Sequence, residues 1–292
     1  MSATALSVSP TSSRSPRRTL VRRPRGLIWT VLRLHRAALW TWLAFVVVTA
    51  GLLLWLYGPG ATAAQQEFDR YGYYVPNGWS SAKNAYDLLF YRPAGFIHVA
   101  TFVVPLFAAS ALVGRELESG TARLAWTQSV SPARWLAVKL AVPAVAIAAG
   151  TGLLVVLYRL LWTARNGLLY AGHAPQELYF QVGPATVAYP LLGLAVGALA
   201  GLLVGRALPA LAVAVAVQYV ITSLHDHLWP FQHLALFSSF PDLAVRGGAH
   251  RTYLPSPDYW PRQLLETGVV LAVTALVVAV SFHVLHKKVS AA

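Results

Sequence analysis

Apolar residues along this 292-residue chain come in long runs, not in stripes. Six runs stand out, at 37–57, 96–114, 140–158, 186–205, 207–224 and 267–285, and none of them holds Asp, Glu, Lys or Arg. At 1.5 Å rise per residue each is long enough to cross a hydrocarbon core of ~30 Å, so the pattern predicts six transmembrane helices. The apolar pattern changes ahead of the first run. Placed at 100° per residue, Leu27, Ile28, Val31, Leu32, Leu34 and His35 share one arc while Arg22, Arg25, Arg33 and Arg36 share the other. That is the signature of an amphipathic helix lying on a membrane surface. Residues 1–20, rich in Ser, Thr and Pro and without an acidic residue, predict a disordered tail. The expected fold is all-α and polytopic, with a single transmembrane domain over 21–288.

Between the second and third runs lies GRELESGTARLAWTQSVSPARWLAVK, Gly114 to Lys139, the densest charge cluster between two apolar runs. The second span should continue as helix through Glu116 and Glu118. Gly120 is a natural C-cap there, and Thr121 a natural N-cap for a short helix over 122–128. Ser131 and Pro132 supply the N-cap and first-turn proline of the third long helix. The predicted object is a short helix slung between two spans, presenting Leu124 and Trp126. An ordinary solvated turn is the alternative, and it has no use for those two apolar side chains.

Composition agrees with the runs: 57% of residues are hydrophobic, 11% are charged, and mean hydropathy is +0.54. One soluble core of this length has no need of so much apolar surface. The net charge of +13 would by itself raise nucleic acid as a partner. Its distribution removes the need for one. With the N-terminus inside, the inner segments hold fifteen basic residues against two acidic ones, and the outer segments hold eight against eight. The positive-inside rule therefore places both termini in the cytoplasm. Trp40, Trp42 and Trp135 fall near inner span ends, and Trp55, Trp162, Trp229 and Trp260 near outer ends or in outer loops, as interfacial belts do. Nineteen Arg against four Lys, with abundant Ala, suggest a GC-rich coding sequence and fit a bacterial origin, so the expected location is a bacterial plasma membrane.

Several chemistries lack their residues. There is no cysteine, hence no disulfide, thiolate metal site or catalytic thiol. None of the lysines completes GxxxxGK[ST], so nucleotide must bind elsewhere. Charge-free spans argue against ion coupling, with His98 and Gln218 as the polar residues of note. No Ser-His-Asp set or carboxylate pair shares a membrane depth, so no catalytic residue is expected. In the 225–262 loop, His225, Asp226, His227, His233 and His250 invite a metal, but His225 and His227 would point to opposite sides of an extended strand, and no metal is expected. Pro255, Pro257 and Pro261 suggest a lid of short helices there. SPRRTL is a partial twin-arginine pattern, yet the run that follows at 37–57 is long for a signal peptide and suits a permanent span. Gly193, Gly197, Gly201 and Gly205 recur every four residues and should let another helix approach closely, whether the first or fifth span or a second subunit. Pro105 and Pro190 are candidate kinks.

The stretch GRELESGTARLAWTQSVSPARW resembles the first cytoplasmic loop of bacterial exporter permeases of the ABC-2 class, with their acidic-Gly-Thr turn, Trp-Thr-Gln-Ser segment and Arg-Trp restart. LRLHRAALW is similar to the opening of their first span, and YLPSPDYWPRQLLETG to the lead into their last. The resemblance implies that the short helix docks on a separate ABC ATPase and transmits its closure, with Glu116, Glu118, Gly120, Thr121, Arg123, Trp126 and Gln128 as coupling residues. It implies that ATP and magnesium bind that partner, with no cofactor on this chain. It also implies a second permease protomer, identical or related, and a pathway between protomers lined by the first, second and fifth spans, with Phe102, Phe107, Gln218 and Tyr219 as lining candidates. Aromatic, weakly polar walls suit a hydrophobic or amphipathic cargo, such as a drug, antibiotic or lipid-like molecule, moved outward. Two other classes fit the same architecture: a sensor or immunity subunit responding to membrane-active peptides, and an ATP-independent scaffold or carrier.

Overall fold

The computed structural model describes residues 26–71, 81–128, 130–165, 168, 183–228, 237–241, 251–255 and 259–290. Helix α1 (Leu27–Leu34) is separated from α2 (Arg36–Trp55) by a break at His35, where φ is −102° and ψ 19°. A π-helical stretch over Leu56–Gly60, containing Pro59, joins α2 to α3 (Ala61–Tyr71), and α4 (Ser81–Phe90) follows. Helix α5 (Arg92–Phe107) passes through a second π stretch, Ala108–Gly114, into α6 (Arg115–Glu118). Then come α7 (Thr121–Thr127), α8 (Pro132–Arg165), α9 (Ala185–Val204), α10 (Ala207–Leu228) and α11 (Tyr259–Ser290).

Five helical rods are long and apolar enough to cross a membrane: Arg36–Arg70, Ala85–Glu118, Pro132–Arg165, Ala185–Val204 and Tyr259–Ser290. Three of these, at 34 or 35 residues, outrun the expected spans. They are ~50 Å long and project beyond a ~30 Å core. The sixth expected span, 207–224, lies on α10, whose apolar part, Ala207–Ile221, is shorter than the other five.

The expected runs end where apolar residues end, whereas the helices continue for turns more. Lys139 and Glu266, counted above as loop residues, are thus integral to α8 and α11 and are buried. Of the stretch 58–95, residues 58–71, 81–90 and 92–95 are helical. Glu67 accepts the N–H of Ala82 at 2.9 Å and so caps the start of α4, while Tyr158 donates to the Phe90 carbonyl at 3.0 Å. In the loop expected to form a lid of short helices, the described residues include an antiparallel pair, β1 (Phe237–Pro241) and β2 (Arg251–Pro255), so among the described residues the fold is helical but for these two strands. His225, Asp226 and His227 fall in the last turn of α10 and not in a strand. His233 and His250 lie outside the described residues.

Helix α9 is the hub. Two thirds (67%) of its apolar stretch is buried, against 17% for the rods of α2 and α11, whose apolar side chains Val47, Val48, Leu271 and Leu276 are exposed. The close packing rests on missing side chains. A Cβ at Gly193 would come within 2.8 Å of the Pro105 ring, one at Gly197 within 2.6 Å of the Pro105 carbonyl, and one at Gly201 within 2.9 Å of Val113. The glycine stripe thus seats α5 and its π stretch, the second long rod, where the first or fifth span had been expected. Gly205 does something else. Its φ of +69° makes it the left-handed residue that ends α9, with open space where a Cβ would be.

The bundle is pinned at both ends. At one, Tyr189 donates to Glu266 at 2.8 Å, Gln263 accepts the N–H of Ala185 at 3.4 Å, and the Arg159 guanidinium lies 4.2 Å from the Trp260 ring centre. Glu266 therefore joins α11 to a side chain of α9. At the other end the α6–α8 loop, the α9–α10 turn and the C-terminal end of α11 meet, with Lys288 donating to the Leu203 carbonyl at 3.3 Å.

Candidate functional site

The site is built from a helix that changes its winding. Pro105 offers no N–H, and beyond it the chain widens into the π stretch at Ala108–Gly114. Ser110 donates to the Leu106 carbonyl at 2.8 Å within it. The carbonyl of Leu112 receives a bond from Lys139 on α8 at 2.9 Å. The same ammonium group is paired with Glu116, and the other oxygen of Glu116 accepts the indole N–H of Trp135 at 3.2 Å. Lys139 is 3% exposed and Glu116 17%. Trp135 and Lys139 stand four residues apart on one face of α8, which lets both reach a single carboxylate.

Glu118 points elsewhere. Its carboxylate accepts the N–H of Ala207, the first residue of α10, at 3.0 Å. Gly120 then reverses the chain with φ +73°, the left-handed region that excludes most side chains. Helix α7 begins at Thr121 itself. The Thr121 hydroxyl does not cap it, since it bonds back to the Glu116 carbonyl at 3.3 Å and lies 3.0 Å from Ser119 Oγ. Ser131 does cap α8, accepting the Arg134 N–H at 3.3 Å, with Pro132 in the first turn.

Helix α7 has two faces. Ala122 is fully buried, and Trp126 turns inward with its ring edge-on to Trp135, centres 5.6 Å apart at 87°. Trp126 is thus an anchor and not the exposed residue expected beside Leu124. Outward stand Arg123, Leu124 at 58% exposure, Thr127 and Gln128. The seven coupling residues proposed from sequence accordingly divide in space: Glu116, Glu118 and Trp126 hold the short helix to α8 and α10, Gly120 and Thr121 turn it, and Arg123 and Gln128 face out. Sequence reasoning missed Trp135 and Lys139. Their i, i+4 spacing beside an acidic helix end was the available signal.

The four lining candidates have different settings. Gln218 is 4% exposed inside the bundle, its neighbour Tyr219 is 68% exposed, and Phe102 lies 5.2 Å from the His98 ring. Phe107 lines a half-open cavity of about 400 Å³ bordered within one chain by α1 and α2, the α5 rod and α8. The His35 ring meets Phe107 edge-on at 5.8 Å. Burial holds the His35 imidazole below its ordinary pKa, and the Lys139 charge pushes the same way while Glu116 opposes it.

Long apolar rods, lipid-facing surfaces and an anchored helix standing off one end of the bundle define a multi-pass membrane permease. A family model described as ABC-2 membrane transporter related matches residues 37–228, and the chain belongs to that family. No curated protein and no solved structure matches it. Such permeases are typically non-catalytic membrane subunits, and membership implies association with an ABC ATPase subunit.

Proposed function

We propose that the chain is the membrane subunit of an ATP-driven exporter, working as a pair and moving a hydrophobic or amphipathic small molecule out of the cytoplasm or inner leaflet. In this reading α10 is a sixth span, the termini and α7 are cytoplasmic, and ATP with magnesium binds the ATPase. The observation that carries the reading is the split character of α7. Its outward face, Arg123, Leu124 and Gln128, is free for a partner, while its inward face is tied through Trp126 and Trp135 to the Glu116–Lys139 pair. A push on α7 reaches α5 and α8 through that pair, and α10 through Glu118 and Ala207. A solvated turn has no need of a tryptophan pair and an ion pair.

Purification from native membranes followed by mass spectrometry of bound proteins tests the proposal. An ATPase with a phosphate-binding GxxxxGK[ST] loop should accompany the wild type and be lost from a Leu124→Asp, Arg123→Glu variant. Its absence from the wild type sinks the coupling role of α7.

A further inference from the structure

The break between α1 and α2 falls on a residue that can take up a proton. His35 stands there with φ −102° and ψ 19°, and its ring borders the half-open cavity, where it meets Phe107 edge-on at 5.8 Å. It is the one titratable group among the described residues lining that cavity, and its neighbours Val31, Leu39, Phe107 and Leu112 are apolar. The other polar groups of the wall are committed to backbone, with Trp42 donating to the Ala146 carbonyl at 2.9 Å and Thr41 to that of Ala37 at 3.0 Å. His35 Nε2 differs, being buried with no hydrogen-bond partner among the described residues. Such a setting separates the two protonation states of the ring. In the neutral form Nε2 can be the bare nitrogen, which loses little by standing alone; in the imidazolium it carries a hydrogen and part of a positive charge that nothing receives.

Nearby charge tilts the same way. Among the described residues, the groups that act on the ring across the packing are Lys139 of α8, whose ammonium opposes a second cation, and Glu116 of α6, whose carboxylate favours one. Neither α2 nor the α5 rod adds a titratable group to the cavity wall. Arg33 and Arg36, the charges flanking His35 in sequence, are exposed, and Arg33 lies over the Trp29 ring at 5.1 Å. Burial first, and Lys139 second, hold the imidazole below its ordinary pKa of about 6.5 against the opposing pull of Glu116. The backbone ties this ring to both helices: the His35 N–H donates to the Val31 carbonyl at 3.0 Å, and the His35 carbonyl accepts the Leu39 N–H at 3.0 Å. Val31, 4% exposed, is the residue of α1 that packs into the bundle, where α1 meets α8. A displaced ring therefore moves the joint and α1 with it. We propose that His35 is a proton-operated latch: neutral, it seats α1 against α8, and protonated, it leaves the cavity and lets α1 lift from the bundle. Because the seated ring binds its proton more weakly than a free one, the latch holds fully above about pH 6.5 and fails as the pH falls below that value towards the pKa of the seated ring.

The chain has no cysteine, so Leu34→Cys with Leu153→Cys, both exposed positions, gives two nitroxide sites and no others. The labelled full chain, diluted with unlabelled chain so that distances within one molecule are read, is placed in phosphatidylcholine vesicles with both faces buffered alike. Electron–electron double resonance is then recorded from about pH 7.5 to about pH 5, the range in which histidine titrates. One separation between α1 and α8 should dominate at the upper pH. A second population should grow below about pH 6.5, the ratio of seated to lifted chains falling by up to about tenfold per pH unit, which is the limit for one proton. His35→Phe should keep the seated separation at every pH, and His35→Arg, a permanent cation, should show the lifted population already at the upper pH. A wild-type distribution that does not change with pH overturns the latch. So does a change that survives in His35→Phe, or a His35→Arg protein that keeps the wild-type separation. Neither ATPase nor cargo enters the experiment, so its outcome is independent of the export reading.

Discussion

The ammonium group of Lys139 donates to the carbonyl of Leu112, a backbone group in a π-helical stretch, while pairing with Glu116 one turn further along the same rod. One side chain of α8 thereby holds both the irregular part of the second rod and the root of α7. Buried pairs of this sort are costly to break on one side and much less costly to replace as a unit. Lys139→Met should destabilise the detergent-purified protein by about 3–5 kcal/mol, because Glu116 is left charged and unpaired. Adding Glu116→Leu should recover a good part of that loss. Thermal unfolding of the two single variants and the double variant checks this, and strictly additive losses would show that the two side chains do not act as a pair.

The glycine stripe makes a position-by-position prediction. Gly197→Ala brings a methyl group to 2.6 Å of a backbone carbonyl that cannot move alone, and should cost about 1–3 kcal/mol. Gly152→Ala on α8, where nothing stands within 4 Å, should be neutral or stabilise by up to about 1 kcal/mol. Equal effects at the two sites, read by the same melting assay, would remove the packing role of the stripe.

Gly120 tests the turn itself. Alanine at φ +73° costs about 1–2 kcal/mol of local strain, whereas asparagine tolerates the left-handed region. In vesicles holding the permease with its ATPase, Gly120→Ala should lower transport per ATP hydrolysed, and Gly120→Asn should restore most of it. If both variants behave as wild type, the setting of α7 does not matter to coupling.

These residues also mark how far the sequence could be read. The apolar runs located the five clear membrane rods, because burial in lipid needs only length and hydrophobicity. They placed the rod ends poorly, since Lys139 and Glu266 look like loop residues until a partner on another helix receives them. Ser131–Pro132 and Gly120 could be read directly because capping is local chemistry. Trp126 could not: whether an indole at the bundle end faces water or Trp135 depends on α8, which is adjacent only after folding. The partner of the glycine stripe was likewise hidden, as four-residue spacing says that a helix approaches but not which one. The strand pair in the 225–262 loop had three prolines to argue for a break and nothing to argue for pairing.

At the opposite end of the bundle, Glu266 is fully buried and accepts the Tyr189 hydroxyl at 2.8 Å, joining α11 to the hub helix α9. A hydrogen bond to a buried carboxylate contributes about 1.5–3 kcal/mol, roughly twice a neutral one. Tyr189→Phe should therefore lower stability by that amount and leave the α7 end untouched, with the Lys139–Glu116 pair and ATPase co-purification as in wild type. Glu266→Gln should cost less than Glu266→Ala, because the amide oxygen still accepts from Tyr189 and no cavity opens. A Tyr189→Phe variant that melts with the wild type, or one that loses the ATPase, would mean that the two pinned ends are not independent clamps on one helix.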